Sequence, residues 1–359
     1  MLRIETPFHG AVMNSRHGRP VAGGLKIAVR GEAPPDARVT VNDALAHRDG
    51  AKFSAEVVLT AKETDIIAVA ADAQRREERR VRVVWDRHSR PRYRVAIDDN
   101  SFFLRDIAQK GYVSLFDSFY LKGLRELNRR YGAKFVLNIY YTTGDDFSLP
   151  QFPDRYKGEW RDNADWLKLA FHAHADKPDR PYENATPEKL AADFDQVAEQ
   201  IRRFAGEETY SPPTIIHWGI VQPSAFPVLA RRAVRVLSGY FRWTGGSEDA
   251  NYLFDRERCE WLSHNEALKD FDTGIVFSLV DLICNLTPVE KIVPALEAAA
   301  SDPCRAEIMD ILTHEQYFWP FYHNHIPDHF ERLEAAVRWL TEHDYRPVFF
   351  HEGLLGVPE

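Results

Sequence analysis

Two adjacent carboxylates, Asp98 and Asp99, end the apolar stretch Arg94-Val95-Ala96-Ile97 and lead into Asn100-Ser101-Phe102-Phe103. Like charges side by side repel, so such a pair at the mouth of a core strand calls for a cation or a proton to resolve it. A turn in which Asp99 and Asn100 cap the next helix would account for one Asp better than for two. Further on, Trp166-Leu167-Lys168-Leu169-Ala170-Phe171-His172-Ala173-His174 reads as a strand. Side chains alternate across a strand, so Ala170, His172 and His174 share a face and both imidazoles point the same way. His217 closes Thr214-Ile215-Ile216, and His314 follows a strand over residues 307–313. One or two carboxylates with two imidazoles suit a borderline divalent metal, zinc first, with cobalt or nickel as alternatives, and leave positions open for water and substrate. A metal so held acidifies water and polarises a carbonyl; a spare carboxylate takes the water's proton and a separate imidazole protonates the leaving group. Asp98 and His314 are the residues left over for those two jobs.

These side chains need a scaffold that gathers strand ends. After residue 91 strands and helices alternate: strands at 95–97, 133–140, 166–174, 214–217, 240–243, 307–313 and 347–350, with 274–284 as a hairpin insertion or buried helix. Leu115, Phe119, Leu124 and Leu127 predict a helix closing at Tyr131-Gly132, where Gly suits the C-terminal cap. Thr186 as cap, Pro187 at the first position and the stripe Leu190, Phe194, Val197, Ile201 and Phe204 predict another, ending at Gly206. Helices are also expected at 224–237, 289–300 and 328–343. Alternation of this kind predicts an α/β fold, a distorted barrel of the (β/α)7 type with its parallel sheet closed or nearly closed. Asp98, Asp99, His172, His174, His217 and His314 then all lie at C-terminal strand ends, where such folds place their chemistry.

Only Phe8, Phe53 and Trp85 among the aromatic residues precede residue 90, whereas ten of the 14 histidines follow it. The shift marks a boundary near residues 86–91 and divides the chain into residues 1–88 and 91–359. Ahead of it, β-branched stretches at 25–30, 38–41, 53–59, 65–70 and 81–85 recur at about the 8–12-residue spacing of an all-β sandwich, here with an immunoglobulin-like look. Asn42-Asp43 and Asp49-Gly50 are turn signals between them. The charged run 75–80 reads as a solvated hairpin or edge protection. The sandwich suits a spacer or a wall beside the site. A net charge of -8 argues against nucleic acid and anionic membranes as partners. No apolar run is long enough to span a bilayer and the first residues lack a signal-peptide core, which predicts a cytoplasmic protein. Cys259, Cys284 and Cys304 show no metal-ligand spacing and read as buried small hydrophobes.

With its motifs in order, the second region resembles the polysaccharide deacetylases, the NodB-like carbohydrate esterases. Ala96-Ile97-Asp98-Asp99-Asn100 is similar to that family's first motif, Phe171-His172-Ala173-His174 with the helix after it resembles the second, and Leu312-Thr313-His314-Glu315 resembles the closing one. The resemblance spans residues 91–353 and implies Asp98 as base, Asp99, His172 and His174 as metal ligands and His314 as acid. It further implies removal of an acyl group, acetyl above all, from a carbohydrate or small acylated substrate. The chain departs from the pattern in three places: Asn100 stands where Gly is usual, the two histidines are two apart instead of four, and no Arg-containing third motif is present. His217-Trp218-Gly219 occupies about that third place, so His217 reads as a pocket histidine and not a ligand. Trp218 and Trp319, which follow proposed site residues, are the first tryptophans expected to stack on a sugar. The cluster His323, His325 and His329 reads as a polar loop entering the last helix, not as a second metal site. Two alternatives stay open: a carbohydrate-binding or scaffold protein without activity, and another metallohydrolase on the same barrel.

Overall fold

A computed structural model describes residues 1–241 and 250–358. Alternation of buried and exposed side chains builds its first part. In the strand Gly24–Glu32, Leu25, Ile27 and Val29 are buried while Ala28 and Arg30 face solvent. Five strands form one sheet, with Arg3–Thr6, Gly24–Glu32, Lys52–Leu59 and His47–Asp49 adjacent in that order and Arg19–Val21 also paired to Gly24–Glu32. The other sheet runs Val12–Met13, Arg76–Trp85, Glu63–Ala71, Arg38–Val41, Ala44–Leu45. Asn42 and Asp43, at φ of 45° and 67°, make the tight turn between its last two strands. The inner faces share one core, where Leu25, Ile27 and Phe53 meet Val39, Ile66 and Val83. The charged run belongs to a solvated hairpin, beginning at the turn where Asp72 N donates to Arg75 O and Arg76 pairs with Ala71. It forms the first half of Arg76–Trp85, laddered along Glu63–Ala71 with its side chains mostly in solvent.

Beyond residue 91 the chain alternates strand and helix. A parallel sheet runs Leu167–Ala173, Phe135–Tyr140, Arg92–Asn100, Ile308–His314, Leu282–Ile283, and Arg346–Pro347 adds a short pairing to Arg92–Asn100. Tyr93, Val95 and Ile97 face outward into the main core with Leu121, Leu124, Leu333 and Leu340 of the helices Phe119–Tyr131 and His329–Glu342. Arg94, Ala96 and Asp98 lie on the opposite face. Ala96 packs there against Ile215, Val280 and Leu312, and Arg94 forms a buried ion pair with Asp310 at 2.7 Å. A smaller sheet pairs Val236–Gly239 in parallel with Val276–Leu279, and Ala267–Lys269 antiparallel to the latter.

Short links join the two sheets around the interior. On one side Leu169 N donates to Thr209 O, Leu169 O accepts from Ser211 N, and Ser238 N donates to Thr214 O; on the other Asp281 N donates to Asp310 O. The described residues therefore form an α/β layer without a continuous closed ladder, where a closed or nearly closed barrel was expected. Residues 214–217, expected as a strand, supply only one such link before the 3-10 turn His217–Gly219. The helix expected over 224–237 is confined to Phe226–Arg231, and the strand expected at 240–243 lies earlier, at Val236–Gly239. Residues 242 and 243 fall outside the described residues. The Thr186 cap is where its local signal put it: Thr186 accepts from Lys189 N and the helix runs Pro187–Phe204.

The two parts meet at the strands' N-terminal ends. Val12 and Val84 of the sandwich pack with Val236, Val276 and Ile308, each at the start of its strand, and with Val348, Phe350 and Leu355 of the C-terminal segment. Lys269 N donates to Gly10 O at 2.7 Å, and buried Asp86 pairs with buried Arg92 at 2.7 Å. The sandwich thus sits at the end opposite the carboxylate pair and forms no wall of that site.

Candidate metal centre

In a regular strand Asp98 and Asp99 would face opposite ways. The register against Phe135–Tyr140 slips between Ile97 and Asn100, so Arg92–Asn100 carries one extra residue there, and Asp99 adopts φ of 59°. Such a bulge re-aims side chains. Both carboxylates turn toward His172, whose Nε2 lies 3.1 Å from Asp99 Oδ1 and 4.0 Å from Asp98 Oδ2. A second slip places Ile139 opposite Phe171 but Tyr140 opposite Ala173, which makes His172 an extra residue in its own strand. The bulge breaks the alternation that would have carried His172 and His174 to one face. His174 instead stacks on Tyr141, centroids 5.0 Å apart.

The second imidazole of the cluster is that of His217. Its Nδ1 lies 3.0 Å from His172 Nε2 and 3.3 Å from Asp99 Oδ1. The turn that delivers it depends on Gly219, at φ of 56°, where an added Cβ would come within 2.6 Å of Ala250 Cα. Among the described residues Asp99, His172 and His217 are the group that could hold a metal ion, so His217, expected as a pocket histidine, lies where His174 was expected. A tetrahedral zinc with bonds of about 2.0–2.1 Å spaces its donors about 3.3 Å apart, close to the separations found here. The donor set therefore fits a divalent ion. Tyr140 donates its phenol hydrogen to Asp99 Oδ1, and Gln316 donates to Asp99 Oδ2 at 2.8 Å.

The electrostatics separate the two carboxylates. Burial, with the charge of Asp99 next to it, pushes the Asp98 carboxyl well above the ordinary value. Burial opposes ionisation of Asp99 too, but hydrogen bonds from His172 and His217 outweigh it and hold its pKa well below the usual range. Neighbouring carboxylates pushed apart in this way take different roles. Burial lowers His172 to about 4, so its ring is neutral with a lone pair to offer. Asp98 is held by Asn138, whose amide donates to Oδ1 at 2.6 Å.

His314 stands opposite Asp98 in the strand register, with Nδ1 2.9 Å from Asn285 Oδ1, and burial lowers its pKa. Trp218, 38% exposed, lies beside His217 with ring centroids 6.0 Å apart. Trp319 does not line the opening: it is buried edge-on to Phe119, and its indole N–H donates to Glu315. His329 is buried against Thr313 Oγ1 at 2.8 Å and His323 is exposed, so no second imidazole cluster forms there. A cavity of about 170 Å³, lined by Asp99, Phe102, Tyr140, Asp176, Gln316 and Tyr322, opens onto the cluster. Tyr140, Asp176 and Gln316 were not singled out in the sequence. The signal for Tyr140 was its place at the end of a strand, and that for Gln316 its nearness to His314. A larger cleft of about 290 Å³, lined by His9, Phe254, Arg258 and Asp270 among others, has no such donor cluster.

No family model matches the chain, and no curated protein matches it. Solved structures with a similar course exist. A 4-alpha-glucanotransferase from Thermococcus litoralis is 12% identical at a TM-score of 0.45, over 73% of this chain and 39% of the other. The chain thus spans well under half the length of that enzyme. A polysaccharide-deacetylase candidate involved in O-antigen biosynthesis, from Bordetella bronchiseptica, is 11% identical at 0.33, over 75% of this chain and 88% of the other. At these scores neither likeness says what this chain acts on.

Proposed function

We propose that the chain is a metal-dependent hydrolase that removes an acyl group, acetyl first, from a carbohydrate. The observation that carries the reading is the convergence of Asp98, Asp99, His172 and His217 through two bulges. Asp99, His172 and His217 would hold a divalent ion, zinc first, and His174 would not. Such an ion, when bound, supplies Lewis acidity toward a carbonyl and lowers the pKa of water. Asp98 takes the proton from the attacking water; burial opposes its ionised form, which a positive charge held by Asp99, His172 and His217 would favour. His314, across the strand pair from Asp98, gives a proton to the departing nitrogen or oxygen. Its depressed pKa means that it must first acquire that proton. Trp218 offers an exposed ring beside the site for a sugar face. In this reading the chain divides at residues 1–88 and 91–359, the second unit is a distorted, incompletely laddered (β/α)7-type barrel, and the partner is a carbohydrate or small acylated molecule, not nucleic acid or membrane.

Elemental analysis of the purified protein tests it, beside Asp99→Ala and His172→Ala. Near-stoichiometric zinc, cobalt or nickel that both variants lose, together with metal-dependent acetate release from acetylated sugars, is the expected outcome. A protein that takes up no divalent metal even on reconstitution would overturn it in favour of a binding protein.

A further inference from the structure

We infer that Tyr140 is a further catalytic residue of this site, its phenol O–H donating a hydrogen bond to the substrate's acyl oxygen as negative charge develops there. The inference rests on the hydrolase reading above.

Tyr140 is the last residue of the strand Phe135–Tyr140, and the second bulge sets it beside His172. Its ring is buried and packs edge-on to His217, centroids 5.2 Å apart at 90°, and tilted against His172 at 5.4 Å. The phenol oxygen lies 3.2 Å from His217 Nδ1 and hydrogen-bonds Asp99 Oδ1. It therefore touches two of the three groups that would hold the ion, and it also lines the cavity through which a substrate reaches them. A phenol has one hydrogen to give, and here Asp99 Oδ1 receives it. A cation on Asp99 Oδ1 would leave that oxygen a lone pair to accept with, but would draw charge from it and weaken it as an acceptor. An acyl oxygen gaining negative charge in the cavity would then be the stronger acceptor for that hydrogen.

The bond changes balance without any further reactant. Water oxygen bonds to the acyl carbon as its proton passes to Asp98, and the carbonyl π pair moves onto oxygen, where Tyr140 donates without losing its proton. Collapse restores the carbonyl and breaks the bond to the leaving atom, which takes a proton from His314. A buried donor aimed at developing charge is worth about 10²–10³ in kcat when removed.

Tyr140→Phe tests this with the full chain loaded with cobalt. Metal affinity by competition with a chelator is expected to fall by no more than about tenfold, since the three ligands remain and only a group behind one of them is lost. Acetate, followed through the cobalt visible spectrum as a stand-in for the acyl oxygens, is expected to bind about tenfold more weakly, and kcat toward p-nitrophenyl acetate to fall about 10²-fold with KM nearly unchanged. Unchanged acetate binding and kcat in a variant that keeps its metal would overturn the inference and leave the hydrolase reading standing. Loss of the metal would also overturn it, making Tyr140 a positioning residue for Asp99. Absence of cobalt binding in the parent protein would instead sink the hydrolase reading, and this inference with it.

Discussion

At the scale of single residues, the site turns on which imidazole joins Asp99 and His172. His217→Ala is expected to abolish stoichiometric metal uptake while His174→Ala retains it, read by metal content after dialysis. The reverse pattern would restore the ligand set expected from the sequence. Gln316 bonds the far oxygen of Asp99. Groups behind a ligand are worth about 10–100-fold in metal affinity, which is the loss expected for Gln316→Ala by chelator competition. The strand-end places of Asp98, Asp99, His172 and His314 were legible because residue type and strand position are local properties. The place of His174 was not. Strict alternation put it beside His172, and the extra residue that breaks alternation shows only in the register with a neighbouring strand. Asn100, which stands where Gly was expected, has a structural explanation: its side chain accepts from Tyr120 and donates to the Ile97 and Asn138 carbonyls, tying the bulge down.

At the scale of elements, two helix starts show what a sequence reveals and what it hides. Thr186 caps its own helix through its neighbour's backbone, a pattern confined to four residues, and Thr186→Ala should cost about 1 kcal/mol by denaturant titration. The helix Phe102–Lys110 opens without a side-chain cap from Ser101. Its exposed N–H groups are met by Glu315, which accepts from Ser101, Phe102 and Phe103 at 2.5, 2.9 and 2.6 Å. No local pattern predicts a cap from so far along the chain. The contact fastens the residue after His314 to the loop after Asp99. Burial raises Glu315 to about 7, against the backbone hydrogen bonds that favour its ionised form. The folded state then binds the proton more tightly than the unfolded one, so this group's stabilisation is full below the unfolded value near 4.5 and is lost as pH rises through about 7. Thermal unfolding between those limits should show the parent losing stability with pH relative to Glu315→Gln; parallel profiles would contradict it.

At the scale of the whole molecule, the compositional step near residue 90 separates strands that enter the sandwich sheets from those of the α/β layer. The sequence was mute on how the two parts dock, because the docking face is made of single residues from distant strands, such as Val12, Val276 and Ile308. Asp86 and Arg92 cross that junction fully buried. Removing one partner of such a pair leaves an uncompensated charge, and Asp86→Ala is expected to cost about 3–5 kcal/mol in denaturant titration. A loss comparable to that of a surface substitution would show the junction to be softer than its packing. The strand Phe135–Tyr140 has a wider consequence. It is the common partner of both bulged strands, and each slip is counted against it. It works as a ruler between two scales that each run one division long. Gaining or losing a residue within it would misread both scales together and scatter the carboxylates from the imidazoles, although no chemical group had been touched. Its length is therefore as much a part of the centre as any ligand.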